Sequence, residues 1–186
     1  MRVISGTARG RRLKQPGGDE IRPTSDMVKE SIFNIVQFDI EGRKVLDLFA
    51  GTGQLGIEAL SRGAASCVFI DQKPDAIKLI LHNVKHCGFE EHSQVLNRDA
   101  QRFIEGDEKF DLIFLDPPYD TKLLQKSLIK ITEVDKLNTN GIIICEMKAD
   151  ATAPTVDAPY FLQKEYKYGG VKIVRYERGL TDGHEV

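Results

Sequence analysis

From residue 44 onward, short apolar runs alternate with segments whose apolar residues recur at helical spacing. The runs predict five strands, at 45–49, 67–71, 94–96, 110–115 and 142–146. Helices are predicted between them, at 55–61, 74–88, 100–105 and 123–134. Strands that are apolar on both faces and alternate with helices indicate a central, mostly parallel sheet with helices on both faces.

The two ends of the chain depart from this alternation. Near the C-terminus, strand patterns at 161–168 and 171–178 are separated only by Gly169-Gly170, which predicts a hairpin and an antiparallel end to the sheet. At the N-terminus, two short extended pieces flank the glycines of 6–10 and predict a hairpin arm within residues 1–20. We expect one domain over residues 1–186, with 179–186 as a disordered tail.

A helix is also predicted between the arm and the first strand. It opens after Arg22-Pro23, with Thr24 or Ser25 as a plausible N-cap. Its apolar residues fall on one face at helical spacing: Val28, Ile32, Ile35 and Val36. We expect this face to cover an edge of the sheet.

Charge is informative through its distribution. The net charge is −2, which gives no global electrostatic argument for a nucleic-acid partner. Five cations nevertheless precede the first acid, Asp19: Arg2, Arg9, Arg11, Arg12 and Lys14. A basic arm on a mildly acidic body favours binding to phosphates, although a solvated tail could have the same composition.

Cysteine usage and hydropathy bear on the compartment. Cys67, Cys87 and Cys145 are odd in number, scattered and without CxxC spacing, which fits a reducing environment. No apolar run approaches the length of a membrane span, and the N-terminus has no apolar core of a secretory signal. The sequence therefore predicts a cytoplasmic protein.

The stretch 44–56 predicts a buried strand, a tight glycine turn and the start of a helix. Glycines let the backbone approach a ligand closely, and the free N–H groups at the helix start face the same place. This is the pattern of a nucleotide-binding corner. Its spacing, Gly51-x-Gly53-x-x-Gly56, also matches the dinucleotide fingerprint of dehydrogenases, so the glycines alone leave the cofactor open.

Acidic residues lie in or just after the C-terminal ends of four successive predicted strands, at the edge where open α/β sheets bind ligands: Asp47, Asp71, Asp99 and Asp116. Asp71 lies 20 residues after Gly51, the position of a carboxylate that accepts hydrogen bonds from ribose hydroxyls. Asp99, followed by Ala100, is placed to meet the edge of an adenine. Asp47 can organise the glycine turn or meet a cationic amino group, which S-adenosylmethionine has and NAD lacks.

The tetrapeptide Asp116-Pro117-Pro118-Tyr119 follows the fourth strand. Two prolines fix φ and remove two N–H donors, which leaves backbone carbonyls facing the cleft with little freedom. The Asp116 carboxylate and the Pro117 carbonyl can accept both hydrogens of an exocyclic amine, while Tyr119 stacks on its ring. Held in this way, the amine nitrogen can direct its lone pair at the sulfonium methyl group of S-adenosylmethionine. The Asp116 carboxylate stabilises the positive charge that develops on this nitrogen during methyl transfer.

These motifs resemble those of class I, Rossmann-like methyltransferases that modify exocyclic amino groups. Further stretches resemble the RsmD family of bacterial 16S rRNA guanine-N2 methyltransferases. They comprise Arg2-Val-Ile-Ser-Gly6, Arg9-Gly-Arg11, Arg22-Pro-Thr24 with Glu30-x-x-Phe33-Asn34, and Leu55-Gly-Ile-Glu58-Ala-Leu-Ser-Arg-Gly63. The resemblance covers residues 1 to about 178. It departs from the family pattern at Asp71, where many relatives carry Glu, and at Gln54, which replaces a usually small residue.

The resemblance implies methylation of the N2 amine of one guanine in 16S rRNA of the small ribosomal subunit, with S-adenosylmethionine as donor. No metal is required, because the sulfonium already activates the methyl group, and we expect a monomeric enzyme. The implied catalytic residues are Asp116, Pro117 and Tyr119. The implied cofactor contacts are Asp47, Phe49, Gly51, Thr52, Gly53, Asp71, Gln72, Asp99, Ala100 and Asp116. The implied RNA contacts are Arg2, Arg9, Arg11, Arg12, Lys14 and Arg22.

Three other functions fit parts of the pattern. The same acceptor geometry would serve adenine in nucleic acid or a glutamine amide in a protein, although a peptide groove would not need the basic arm. An NAD-dependent oxidoreductase needs a hydride-handling acid or base, which Asp116 to Tyr119 do not supply. A non-catalytic RNA-binding protein would not need Asp116 and Tyr119 intact.

His82 and His86 have zinc-like spacing but no clear third ligand, so a solvated helix face is favoured.

Overall fold

A computed structural model describes residues 1–16, 26–119 and 122–180. Within these ranges the strands are β1 (Lys44–Asp47), β2 (Ser66–Asp71), β3 (Ser93–Asn97), β4 (Phe110–Leu115), β5 (Leu137–Lys148), β6 (Tyr160–Tyr168) and β7 (Val171–Arg178). The helices are α1 (Asp26–Ile35), α2 (Gln54–Ser61), α3 (Pro74–Cys87), α4 (Ala100–Ile104) and α5 (Leu123–Glu133), with a 3₁₀ turn at Glu90–His92. The predicted alternation of strands and helices is confirmed.

The strands form one sheet in the order β3-β2-β1-β4-β5-β7-β6. The first five strands are parallel, and β7 pairs antiparallel with both β5 and β6. The chain builds outward from β1 through β2 to β3, then returns to place β4 on the other side of β1. The carboxyl ends of β1 and β4 therefore flank the point where strand order reverses, which is where this fold class binds ligands.

Each face of the sheet carries its own apolar cluster. The first cluster includes Val45 and Phe114 with residues of α1, α2, α3 and the arm. The second cluster includes Leu46 and Ile113 with residues of α4 and α5. Successive strand residues point to opposite faces, so the uninterrupted apolar runs in the sequence supply both clusters.

The helix α1 lies on a face of the sheet, which corrects the expectation that it covers an edge. Its Phe33 ring packs against Phe114 of the central strand β4, with 5.7 Å between ring centroids. The guanidinium of Arg175 in β7 also donates to the Ile35 carbonyl at the end of this helix. Helical spacing identifies the apolar face of α1, but it carries no information about which part of the sheet that face meets. The proposed N-caps Thr24 and Ser25 lie outside the described residues.

The N-terminal arm is a hairpin that docks on α2. An antiparallel bridge joins Arg2 and Arg12, and the Val3 amide donates to the Arg11 carbonyl at 2.9 Å. Val3, Ala8 and Leu13 are buried in the first cluster. The arm thus contributes to the core through its apolar residues, while its cations are exposed at Arg2, Arg9, Arg11, Arg12 and Lys14.

Side chains of α2 clamp the backbone of the arm. The buried Glu58 carboxylate accepts N–H bonds from Ile4 at 2.7 Å and Ser5 at 3.0 Å. The Ser61 hydroxyl accepts from the Ala8 amide at 3.0 Å. A Cβ at Gly6, whose φ is +81°, would lie 1.7 Å from the Ser61 carbonyl oxygen, so this contact requires glycine. The stretch 58–63, informative in the sequence only by resemblance, is therefore the docking surface for the arm.

Candidate active site

Acidic side chains from several strands meet at the carboxyl edge of the sheet. Asp47 ends β1 and pairs in register with Phe114 of β4, two residues before Asp116. Asp71 ends β2, which pairs with the other side of β1. Asp99 is the N-cap of α4, where its carboxylate accepts from the Arg102 amide at 3.0 Å. The structure therefore brings the four predicted acids to one edge, in the order that the sheet topology imposes.

The glycine turn between β1 and α2 is built by two of these carboxylates. Gly51 and Gly53 have φ values of +55° and +79°, which only glycine adopts without strain. Asp71 accepts from the Gly51 amide at 3.0 Å with one oxygen and from the Lys73 amide at 2.8 Å with the other. Each carboxylate oxygen keeps a further lone pair, so these bonds leave room for ribose hydroxyls.

Asp47 is an acid of the site whose pKa is strongly shifted. It is 2% exposed and accepts from the Gly56 amide inside α2 at 3.0 Å. Burial raises the pKa of Asp47 to about 7, the hydrogen bond from Gly56 opposes this shift, and the neighbouring Asp71 charge reinforces it. Of the two roles predicted for Asp47, the structure shows the organisation of the turn. Its raised pKa leaves a group whose charge can respond to a cationic ligand near neutral pH.

The turn presents features suited to a nucleoside ligand. A Cβ placed on Gly51 would meet no atom within 4 Å, so the backbone is open on that side. The Oε1 atom of Gln54, in a side chain 8% exposed, has no hydrogen-bond partner among the described residues. Asn97, Arg98, Asp99 and Arg102 line a cavity of about 370 Å³ beyond β3. These residues fit a ligand that runs from the glycine turn towards α4.

The remaining predicted cofactor residues differ in exposure. Thr52 and Ala100 are buried, Phe49 is half-buried against the second cluster, and Gln72 is exposed beside Asp71. Thr52 is also tied to the arm through Asn83 of α3, which is fully buried. The Asn83 side chain donates to the Thr52 carbonyl at 2.9 Å and exchanges two hydrogen bonds with the Lys14 backbone. The arm and the glycine turn are thus joined through one side chain that sequence patterns did not identify.

On the other side of β1, the segment after β4 lines a second cavity. This cavity has a volume of about 490 Å³ and includes Pro117, Tyr119 and Glu146 in its lining. Pro117 is buried, while Asp116 and Tyr119 are half-buried. The Tyr119 hydroxyl donates to the carboxylate of Glu146, which is 5% exposed. Two of the three predicted catalytic residues, Pro117 and Tyr119, therefore line a space of suitable size for a planar ring, and Asp116 directly precedes them in the chain.

Glu146 is a site residue that sequence reasoning missed. It is the final residue of the fifth predicted strand, 142–146, and each of the other four predicted strands likewise has an acid in or just after its C-terminal end. The same pattern that identified Asp47, Asp71, Asp99 and Asp116 would have identified it. Its carboxylate belongs to the edge of the sheet that carries the cavity.

The predicted RNA-contact residues are distributed along the arm. Arg2 is 3.9 Å from the Asp26 carboxylate, and Arg11 donates to the His86 carbonyl. Arg9 and Arg12 are exposed. Arg22 lies outside the described residues. Five exposed cations of the arm therefore share one hairpin, which is tied to the glycine turn through Asn83.

No group of three or more potential metal ligands occurs in ranges 1–16, 26–119 and 122–180. The His82 and His86 rings stack on α3 with 6.4 Å between centroids. Among the same residues, no helix is both long and apolar enough to cross a membrane.

Comparison with known proteins gives concordant results. A family model described as "Conserved hypothetical protein 95" matches residues 1–177. The Bacillus subtilis protein named "Putative rRNA methyltransferase YlbH" is 40% identical over 182 residues, covering 96% of this chain and 99% of that protein. "Ribosomal RNA small subunit methyltransferase D" of Escherichia coli is 32% identical over 179 residues, covering 96% of this chain and 90% of that protein.

The fold has a close match among solved structures. The structure named "Putative methyltransferase yhhF from Escherichia coli" superimposes with a TM-score of 0.87 at 32% identity. The match covers 97% of this chain and 99% of the other. The mostly parallel sheet with an antiparallel end is therefore shared with this relative over nearly the full length of both chains.

Proposed function

Because the chain belongs to the RsmD family, which the model "Conserved hypothetical protein 95" describes, we propose that it methylates 16S rRNA of the small ribosomal subunit. The donor is S-adenosylmethionine, and the acceptor is the exocyclic N2 amine of a guanine. One observation carries this proposal: the glycine turn and the Asp116–Tyr119 segment flank the same reversal of strand order, between β1 and β4. A donor and an acceptor held there would meet at Asp116.

The glycine-turn side holds the cofactor in this proposal. When bound, S-adenosylmethionine supplies a methyl group that is already activated by the positive charge on sulfur. The open backbone at Gly51 admits the ligand, and Asp71 orients its ribose. Asp99 and the cavity beside it receive the adenine. Asp47, buried behind the turn, keeps Gly56 and the start of α2 in place.

The side after β4 holds the acceptor. Asp116 and the Pro117 carbonyl accept the two N–H bonds of the amine, and the Tyr119 ring stacks on the base. The hydrogen bond from Tyr119 to Glu146 ties that ring to β5, which limits its rotation. The prolines limit the movement of the backbone in the same way. Positioning of this kind lowers the barrier because the amine loses little further freedom when it reacts.

The basic arm binds the RNA backbone in this proposal. Its exposed cations project from a hairpin whose apolar residues are buried in the core, so the charges are held in a fixed arrangement. Contacts from Arg9, Arg12 and Lys14 to phosphates would position the RNA without reading its sequence. A guanine in an RNA loop is partly unstacked, so turning it into the cavity costs less than extracting it from a duplex.

The proposal extends to the state of the protein. We treat residues 1–186 as one methyltransferase domain, in line with the single sheet that carries both apolar clusters. We place the protein in the cytoplasm as a monomer. Three free buried cysteines fit a reducing compartment. Light scattering on the purified protein would test the monomer.

A labelled-methyl assay tests the proposed function. The purified chain is incubated with labelled S-adenosylmethionine and, in parallel, with undermethylated small subunits, naked 16S rRNA and bulk protein. We expect label in the rRNA, recovered as N2-methylguanosine after digestion. Label in adenosine or in protein would replace the proposed acceptor. A companion calorimetric titration that found binding of NAD but none of S-adenosylmethionine would overturn the methyl-transfer chemistry itself.

A further inference from the structure

Glu146 lies beside the acceptor segment because of the register between β4 and β5. Leu115 pairs with Cys145, so the next residues along each strand, Asp116 and Glu146, are neighbours at the carboxyl edge. On β5 the residues Ile143 and Cys145 belong to the second cluster, whereas Ile144 belongs to the first. By this alternation Glu146 lies on the face of the first cluster, against which Tyr119 also packs.

The carboxylate of Glu146 is buried yet borders the acceptor cavity. It is 5% exposed, accepts from the Tyr119 hydroxyl and belongs to the lining of the 490 Å³ space together with Pro117. A carboxylate has two oxygens with about four lone-pair sites, so one bond from Tyr119 does not exhaust it. Burial of a carboxylate is costly unless donors approach it, and the cavity is where a further donor can come from.

We propose that Glu146 determines the choice of base by accepting the N1–H of guanine, next to the N2 amine held by Asp116 and Pro117. This inference rests on the proposed function. In guanine the exocyclic amine and N1–H are adjacent donors on one edge. Adenine and cytosine instead present a ring nitrogen acceptor next to their amines. Two adjacent carboxylates, at Asp116 and Glu146, therefore match guanine and repel the other two amino-bearing bases.

The repulsive part of this arrangement is as important as the attractive part. A buried carboxylate that faces a ring nitrogen lone pair gains no hydrogen bond from the base, and the two lone pairs repel each other. A site built to hydrogen-bond a donor rejects analogues that lack it, because its own polar group is left unpaired. Glu146 thus acts on specificity through direct contact with the base, while its bond to Tyr119 orients the stacking ring.

The test uses short RNA acceptors that carry either guanosine or 2-aminopurine riboside at the target position. 2-Aminopurine keeps the exocyclic 2-amine but lacks N1–H. The measured quantity is the ratio of kcat/KM for guanosine to that for 2-aminopurine. For the wild-type protein we expect a ratio of about 10 to 100, which corresponds to the contribution of one charge-assisted hydrogen bond.

Three variants separate specificity from positioning. Glu146→Ala should bring the ratio close to about 1- to 5-fold, because neither base then has a carboxylate to meet. Glu146→Gln, which keeps the shape, should lower the ratio by about 10-fold through loss of charge. Tyr119→Phe removes the bond to Glu146 but leaves the carboxylate, so its activity falls while the ratio stays at the wild-type value. Binding of S-adenosylhomocysteine reports whether each variant is folded.

The outcomes are distinct. If Glu146→Ala and Glu146→Gln keep the wild-type ratio, Glu146 does not read the base. If Tyr119→Phe lowers the ratio as much as Glu146→Ala does, Glu146 only positions Tyr119, and the inference is again wrong. If the wild-type protein methylates neither guanosine RNA nor small subunits, the proposed function fails and this inference fails with it.

Discussion

The two sides of the strand-order reversal use their acids in opposite ways. On the glycine-turn side, Asp47 and Asp71 accept hydrogen bonds from backbone amides, so their first task is to shape the turn. On the side after β4, the acid Glu146 accepts from a side chain, Tyr119, and borders a cavity. A backbone cradle suits a ligand that is always the same, such as a cofactor. A surface of side chains can be altered by single substitutions and suits the partner that must be selected.

The largest expected effect comes from the acceptor side. Asp116→Asn keeps the shape of the side chain but loses the charge that, in the proposed function, stabilises the developing cation. We expect kcat to fall by about 10²- to 10³-fold, the usual result of removing one electrostatic contact to a transition state. The dissociation constant of S-adenosylhomocysteine should stay within about 2-fold of the wild-type value, since the proposed function places the cofactor mainly on the other side. If Asp116→Asn also weakened cofactor binding, the side after β4 would contribute to cofactor binding as well as to the acceptor.

A pair of glycine substitutions tests the packing and the ligand-binding role of the glycine turn. A Cβ at Gly56 would lie 2.2 Å from the Phe69 ring and 2.6 Å from the Cys67 sulfur, where α2 packs on β2. Gly56→Ala should therefore cost about 1–3 kcal/mol of unfolding free energy, measured by urea denaturation.

Gly51→Ala is the matched control, since its Cβ would meet no atom within 4 Å and only its φ of +55° opposes the change. We expect a smaller loss of stability, about 1 kcal/mol, together with a measurable weakening of S-adenosylhomocysteine binding. If Gly51→Ala binds the cofactor as tightly as the wild-type protein, the cofactor does not occupy the open side of the turn.

The smallest expected effect concerns the charge of Asp47. Its pKa in the folded protein is about 7, above the ordinary value of an unfolded aspartate, so the folded state holds a proton that the unfolded state has released. This contribution to stability is complete below the pKa of the unfolded aspartate, about 4, decreases as the pH rises above that value, and is fully lost once the pH has risen through 7. Between pH 6 and 8 the wild-type protein should lose about 1 kcal/mol relative to Asp47→Asn, which keeps an acceptor for Gly56 and does not titrate.

Urea denaturation of both proteins at pH 6 and pH 8, without cofactor, measures this difference. An identical pH dependence for wild type and Asp47→Asn would mean that the carboxylate behind the turn is ionised throughout. The two sides would then differ only in whether their acids accept hydrogen bonds from backbone amides or from a side chain.

Local patterns accounted for most of the elements, with one instructive exception. Strand β5 begins at Leu137, five residues before the predicted start at 142. The missed part contains Asn138, Thr139 and Asn140, which are exposed and have no apolar alternation. Pairing of Leu137 with Phe110 of β4 extends the strand through this polar segment. Tertiary hydrogen bonds supplied what side-chain propensity did not indicate.

The sequence by itself determined the alternation of strands and helices, the glycine turn and the acids that follow successive strands. Each of these is encoded within a window of a few residues or at a fixed spacing, such as Gly51 to Asp71. The tertiary structure alone decided which distant groups meet. Glu58 holds Ile4 across 54 positions, Asn83 joins Lys14 to Thr52, and Tyr119 reaches Glu146 across 27. Such contacts depend on the order of strands in the sheet, and no periodicity within either partner segment records that order.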